Sequence, residues 1–164
     1  MSWDAAIFGT LTMPSAHWKK WLKAPVDSAQ IPDAAKYLSM RELSGQTVQK
    51  TLTEVARFED DEGLAFVELV RAPDEGRLSV RSFFSKDEYL EHSVALAAIW
   101  VAAGKEAVGE LYFAGMLTAG FCYRLSVGAR GVRLAERPMR DTKKHAEYRE
   151  ILARVEARIE ELDL

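Results

Sequence analysis

The stretch "GELYFAGMLTAGFCYRLSVGARGVRLAERP" (residues 109–138) decides the fold class, because it contains three β-rich segments joined by short connections. In the middle segment Phe121, Tyr123, Leu125 and Val127 alternate with Cys122, Arg124 and Ser126, and glycines mark the connections. We therefore predict strands over 109–116, 120–128 and 131–138. Connections this short join neighbouring strands in opposite directions, so the stretch predicts an antiparallel meander.

Three further segments complete a sheet of about six predicted strands. The runs 64–71 and 76–85 are β-rich, and the "APDEG" between them has the proline, aspartate and glycine typical of a hairpin turn. The apolar run 5–13 predicts the first strand. Because the strands come in antiparallel runs, we predict an α+β fold with a predominantly antiparallel sheet and helices packed against it.

Helical patterns lie between and after the predicted strands. We predict helices that begin at Pro14 and at Asp141 or Thr142, and helices over 33–43, 47–58 and 85–103, with a loop over 24–34. The helix over 85–103 begins with a capping box, in which Ser85 caps the helix and Glu88 reaches back. Beyond its first two turns this helix is apolar nearly all round, so we expect other elements to cover it on several sides.

The segment "SAHWKKWLK" (15–23) combines two tryptophans with three lysines. On a helix, Trp18, Trp21 and Leu22 lie on one side and the lysines mainly on the others. We predict that both indoles pack in the core while the lysine ammonium groups reach water. A partner interface, a nucleic-acid platform and a membrane-surface helix are the alternatives for the same pattern.

The composition is that of one globular domain. The chain has 164 residues, of which 48% are hydrophobic and 29% charged, and a formal net charge of -3. We therefore expect a single domain over 1–164, and so mild a charge argues against nucleic acid as the partner. The longest apolar run, 94–104, is far shorter than the roughly 20 residues that cross a bilayer, so we expect no membrane partner. The N-terminus carries Asp4 and no basic region, so we predict no secretory signal and a cytoplasmic protein.

No motif in the sequence identifies a reaction, and we expect neither an enzyme nor a bound cofactor or metal. The glycine-rich phosphate loops, the G-x-S-x-G elbow, the H-E-x-x-H pair and the calcium-loop pattern are all missing from it. Glu88 and His92 have the spacing to face a metal on a helix, but the first turn of a helix favours acidic residues for its dipole alone. Cys122 is the single cysteine, which excludes an intrachain disulfide, and within a strand we expect it to pack as a small hydrophobe.

Charge is unevenly distributed along the chain. Residues 53–92 contain eleven acidic and five basic side chains, whereas residues 124–149 contain eight basic and three acidic ones. One interpretation is a polarised surface whose acidic part binds a basic partner, and the other is chance fluctuation in short windows. The acidic residues predicted to contact such a partner are Glu59, Asp60, Asp61, Glu62, Asp74 and Glu75.

Three stretches carry a resemblance to known proteins, namely "FGTLTMPSAHWKKWLKAPVD" (8–27), "ALAAIWVAAGKEAVGELYFAGM" (95–116) and "GFCYRLSVGARGVRLAERP" (120–138). Together they resemble small bacterial proteins of the immunity type, which accompany polymorphic or contact-dependent toxins. The resemblance implies a non-enzymatic binder that covers the active site of a toxin with a charged or aromatic surface. It carries no functional residue over to this chain.

The leading hypothesis is therefore a cytoplasmic protein-binding domain of the immunity type, which neutralises a bacterial toxin with a basic surface. The alternative is a small-molecule-binding or enzymatic domain with a pocket on the sheet face, lined by His92, Tyr112, Tyr123 and Arg124. A third hypothesis is self-association through the C-terminal helix, and the sequence leaves the oligomeric state open.

Overall fold

The computed structural model describes residues 4–38, 42–58, 63–85, 87–116 and 120–162. Its strands are β1 (Ala5–Thr12), β2 (Pro25–Asp27), β3 (Ser44–Thr47), β4 (Phe66–Ala72), β5 (Arg77–Phe84), β6 (Val108–Gly115), β7 (Cys122–Gly128) and β8 (Gly131–Glu136). Its helices are α1 (Trp18–Lys23), α2 (Ala34–Tyr37), α3 (Val48–Ala56), α4 (Asp87–Ala102), α5 (Met139–Thr142) and α6 (Ala146–Glu161).

A six-stranded sheet in the order β4-β5-β1-β6-β7-β8 forms the middle of the molecule. Every neighbouring pair is antiparallel, which confirms the predicted α+β fold, the hairpin (β4–β5) and the meander (β6–β7–β8). The first strand of the chain, β1, lies at the centre. Gly9 permits the close approach of β1 and β6, because a Cβ atom there would lie 2.0 Å from the carbonyl oxygen of Glu110.

The small pair β2–β3 is a feature that the sequence does not predict, and the loop expected over 24–34 is wrong at Pro25–Asp27. Hydrogen bonds between Ser28 and Leu43 extend the pairing, at 2.8 Å from the Ser28 amide and 3.0 Å to its hydroxyl. So short a strand, paired with a segment beyond α2, leaves no local periodicity to detect. Of the helix predicted over 33–43, the described residues contain α2, and residues 39–41 lie outside them.

The C-terminal helix α6 begins at Ala146, so the predicted starts at Asp141 and Thr142 are wrong. Both side chains have other partners. The Asp141 carboxylate accepts a hydrogen bond from Arg137 at 3.0 Å, and the Thr142 hydroxyl contacts the Cys122 thiol in the core. Neither is free to cap a helix, and both residues lie in the separate short helix α5.

One face of the sheet is covered by α4 together with α1 and α3. The Ser85 hydroxyl donates to the Glu88 carboxylate at 3.3 Å at the start of α4; this contact joins the two side chains, whereas the predicted capping box joins each side chain to a backbone amide. Trp18 and Trp21 are 5% and 0% exposed, and the Trp21 indole N–H donates to the carbonyl oxygen of Ile99 at 3.1 Å. The lysines Lys19, Lys20 and Lys23 are exposed, which confirms that "SAHWKKWLK" is a core-packing helix.

The opposite face of the sheet is covered by α6 at one end. The apolar stripe of α6 consists of Tyr148, Ile151 and Val155, with Leu152 and Ile159 partly buried beside it. It packs on side chains from the sheet and the segments that follow β6, namely Ala6, Phe8, Phe83, Tyr112, Ala114, Met116 and Cys122. The molecule thus has three layers, with the sheet between two groups of helices.

Charged side chains hold α6 along β4 and β5. Glu150 pairs with Arg81, and Arg154 pairs with Glu68. The Arg154 guanidinium also lies over the Phe66 ring, 3.7 Å from its centroid. These pairs are solvent-exposed, so each adds at most about 1 kcal/mol to the docking of a helix that the apolar stripe already secures.

Tyr89 provides a test of this packing, because its buried hydroxyl has no hydrogen-bond partner in the described part of the chain. Burial also raises the pKa of this phenol. Replacing Tyr89→Phe removes a desolvated donor, so we predict that the free energy of unfolding is unchanged or rises by up to about 1 kcal/mol.

The matched control is Ser82→Ala, which deletes a buried hydroxyl that donates to the carbonyl oxygen of Ile7 at 2.7 Å. This substitution should lower the free energy of unfolding by about 1 kcal/mol. Urea unfolding of both variants measures the difference, and an equal loss in the two would show that the Tyr89 hydroxyl does stabilise the fold.

Candidate functional site

The face of the sheet that α6 contacts can be divided into rows of side chains that cross the six strands. Paired residues in adjacent antiparallel strands point to the same side, so the register defines each row. The rows through Ala6 and Phe8 contribute to the cluster under α6. The next two rows, through Thr10 and Thr12, lie beside α6, which crosses the strands over the rows through Ala6 and Phe8, and none of their side chains is buried. We call these two rows the open face: Thr10, Thr12, Val70, Ala72, Arg77, Ser79, Val108, Glu110, Ser126, Gly128, Gly131 and Arg133.

Small and β-branched residues give the open face a low profile. It spans six strands, or about 24 Å, and its two rows are about 7 Å apart. Val70 and Val108 are each 61% exposed, and they are the large hydrophobic side chains that stand exposed in the described ranges. Isolated exposed valines are ordinary, but two on one surface otherwise made mainly of threonine, serine, alanine and glycine form a surface suited to a partner.

A shallow cleft of about 220 Å³ marks the border between the open face and α6. Its floor is the stacked pair of Phe8 and Tyr112, whose ring centroids are 5.2 Å apart, and the His145 ring lies 4.5 Å from Tyr112. The Tyr112 hydroxyl donates to the Glu110 carboxylate at 2.9 Å, and Arg124 lies 3.8 Å from that carboxylate. Burial first, and then the hydrogen bond to Glu110, raises the pKa of Tyr112, so its phenol is neutral at pH 7.

The four residues of the predicted pocket do not come together. Tyr112 and Arg124 are cross-strand partners on the α6 side of the sheet. Tyr123 points to the other side, where its ring lies 4.8 Å from that of Tyr37, and His92 stacks there on Phe84 at 4.6 Å. The pocket prediction is therefore wrong as a set of four, because consecutive strand residues such as Tyr123 and Arg124 point to opposite faces.

The acidic residues of the partner hypothesis fall into two groups. Asp74 and Glu75 are exposed in the turn between β4 and β5, where Glu75 pairs with Arg77 at 2.6 Å, so this acidic turn borders the open face. Residues 59–62 (Glu59, Asp60, Asp61 and Glu62) lie outside the described residues. Gly63, which follows them, contacts Arg158 near the start of β4. The length of β4 places this point about 20 Å from the acidic turn.

The cavities in the described ranges are small. The cleft between α3 and α4, which His92 and Glu91 line with Glu54, measures about 150 Å³, and the one beside Arg158 measures about 350 Å³. The first is smaller than the usual site for a small ligand, which measures about 300–1,000 Å³, and the second is at the lower end of that range. The described side chains include no group of three or more metal-ligating residues, and no described helix has the length and apolar character needed to span a membrane.

Two features of this surface have no signal in the sequence. The exposure of Val70 and Val108 depends on which rows of the sheet α6 crosses, and no local pattern in the sequence reveals this. His145 lies beside Tyr112 because the segment before α6 crosses the sheet, and the two residues are far apart in the chain. The alternation of β4 and β6 can be read from the sequence, but the half of the sheet that a helix covers cannot.

Comparison with known proteins gives no assignment. No family model, no curated protein and no solved structure matches this chain.

The reactivity of Cys122 tests its placement in the core beneath α6. The thiol is 1% exposed beside the Thr142 hydroxyl, and burial raises its pKa. We predict that DTNB modifies the native protein at pH 8 at least about a hundredfold more slowly than the urea-unfolded protein, because the thiolate is scarce and covered. The rate should rise further above pH 8, since a raised pKa delays thiolate formation. A native rate equal to that of the unfolded chain would contradict the assignment of Cys122 to the core.

Proposed function

We propose that this protein is a non-enzymatic protein-binding domain that recognises its partner through the open face. The observation that carries the proposal is the exposure of Val70 and Val108 on the uncovered half of one sheet face. Helices pack against the other half of that face and against the opposite face. Burying the exposed part of each valine in an interface would contribute about 1–2 kcal/mol. Protein interfaces combine apolar contacts of this kind with a polar rim.

The rim of the open face supplies charge. On one side lies the acidic turn, in which Asp74 has no ion pair with any described residue. An exposed rim charge mainly steers encounter with a partner of opposite sign. The acidic turn therefore suits a partner with basic side chains at the matching position.

The class of partner comes from the resemblance to immunity-type proteins. Such a protein neutralises a toxin by covering its active site, a task that needs a preformed surface and no chemistry of its own. A packed core and an uncovered sheet half with charged borders support this role. We propose that a bacterial toxin domain occupies the open face.

The cleft favours a second candidate function, the binding of a small molecule. The observation behind it is that Tyr112, Glu110 and His145 line one shallow space, with Arg124 3.8 Å from the Glu110 carboxylate. A ligand there would respond to Tyr112→Phe, which removes the hydroxyl but leaves the ring. The affinity for the protein partner should not change with that substitution.

The double substitution Val70→Asp and Val108→Asp tests the proposed function. The protein is immobilised and exposed to lysate of the source organism. The proteins that it retains are then identified by mass spectrometry. We predict that wild type retains one specific partner and that the aspartate variant retains at least about tenfold less, because two carboxylates would be desolvated in the interface.

The control is Val70→Thr with Val108→Thr, which keeps the β-branched shape without adding charge and should retain the partner. Because both positions are exposed, all three proteins should unfold at similar temperatures. Equal retention of the partner by wild type and the aspartate variant would show that the partner does not bind the open face.

Asp74→Lys tests the contribution of the acidic turn. Association with the retained partner should slow by about two- to tenfold at low salt, and the effect should fade as salt screens the charge. Surface plasmon resonance at two salt concentrations measures this. Glu160→Lys makes the same charge change at an exposed position near the end of α6 and should leave the rate unchanged. An unchanged rate for Asp74→Lys would remove the acidic turn from the interface.

A further inference from the structure

Two lysines lie above the sheet where the chain passes from α5 to α6. Thr142 contacts Cys122 on β7, and three residues later the His145 ring lies against Tyr112 on β6. Lys143 and Lys144 are therefore held between these two points, and both are exposed. The Arg149 guanidinium fixes this segment by donating to their carbonyl oxygens at 3.3 and 2.9 Å.

Two arginines of the sheet are on the same face as this segment. Arg124 is the cross-strand partner of Tyr112, the residue that the His145 ring contacts. Arg133 is one row further, on the neighbouring strand β8 and within the open face. Adjacent strands are about 4.8 Å apart and successive rows about 7 Å, which places Arg133 about 8 Å from Arg124. We call Arg124, Arg133, Lys143 and Lys144 the basic cluster.

The acidic side chains near the basic cluster do not balance its charge. Glu110 accepts the Tyr112 hydrogen bond and lies 3.8 Å from Arg124, and Asp141 pairs with Arg137 outside the cluster. Glu147 lies in the first turn of α6, next to the cleft. Lys143, Lys144 and Arg133 form no ion pair with any described residue. Because the helix begins without a side-chain cap, its free N–H groups add to the positive potential.

We propose that the part of the partner that lies over β7 and β8 is an acidic polypeptide segment. The open face is then flanked by opposite charges, with the acidic turn at the β4–β5 side and the basic cluster at the β7–β8 side. A partner must match both ends, which fixes its orientation on the sheet. This inference rests on the proposed function and adds the charge and the polarity of the partner to it.

An acidic protein fits this surface better than a nucleic acid does. Proteins that bind single strands stack the bases on exposed aromatic rings. The open face carries no aromatic side chain, and the nearest rings are covered, with Phe8 2% and Tyr112 7% exposed. The open face and the basic cluster therefore attract a partner through positive charge and through the hydroxyl groups of serine and threonine. A peptide rich in carboxylates can bind both.

The first experiment titrates the full-length protein with a decaglutamate peptide and, separately, with a thymidine decanucleotide, and follows backbone amide shifts by NMR at low salt. We expect saturable shifts with the peptide at residues 124, 133, 143 and 144, with an affinity that falls steeply as salt is added. Shifts confined to other regions, or tighter binding of the decanucleotide at these residues, would overturn the inference.

Lys143→Glu with Lys144→Glu should weaken peptide binding by about tenfold or more, because it turns two attractive charges into repulsive ones. The matched control is Lys19→Glu with Lys20→Glu, the same change of charge on exposed lysines of α1 beneath the other face. The control should bind as wild type does. Equal weakening in both variants would reduce the effect to net charge and overturn the inference.

Lys143→Gln with Lys144→Gln guards against misfolding, because it removes charge without adding repulsion, and it should give an intermediate affinity. The capture experiment with Val70→Asp and Val108→Asp reports on the proposed function independently of this probe. One outcome is that the aspartate variant loses the partner while the substitutions of Lys143 and Lys144 change neither peptide binding nor partner binding. In that case the proposed function stands and the present inference fails.

Discussion

A single amphipathic helix is too narrow to cover one whole face of a six-stranded sheet. The proposed function depends on the half of that face that the helix leaves exposed. The sixteen residues of α6 make a rod about 24 Å long and about 10 Å wide, whereas each strand of eight residues is itself about 26 Å long. A rod of that width covers about half of the strand length wherever it lies across the sheet. Tyr148, Ile151 and Val155 select the end near Ala6 and Phe83, and the other end is left to solvent.

The sequence of the uncovered half is consistent with this arrangement. Along β1, apolar Ala6 and Phe8 give way to Thr10 and Thr12 on the same side, while Ile7 and Leu11 stay buried on the other. Threonine and serine keep the exposed sheet wettable, and charged side chains at its edges discourage strand-to-strand aggregation. Val70 and Val108 depart from this pattern, and a partner that covers them explains the departure.

The six main strands, their antiparallel order within each run, and the burial of Trp18 and Trp21 could be predicted from the sequence, because each leaves a local signal of period or turn. The pair β2–β3 could not, since its pairing is long-range, and neither could the start of α6, whose expected caps are occupied by Arg137 and Cys122. The candidate surface was predictable in part. Asp74 and Glu75 stand out by their charge and do border the open face, but the joint placement of Tyr112, Arg124 and His145 depends on tertiary packing.

The proposed partner contacts the open face and does not contact the helices on the α4 side of the sheet. Methyl cross-saturation NMR measures this directly, by transferring magnetisation from an unlabelled captured partner to methyl-labelled protein. The account predicts strong attenuation of the Val70 and Val108 methyl signals, with those of Val26 and Leu52 unaffected because they are buried beneath the other face. Attenuation centred on methyl groups of α1 or α3, with Val70 and Val108 unchanged, would contradict it.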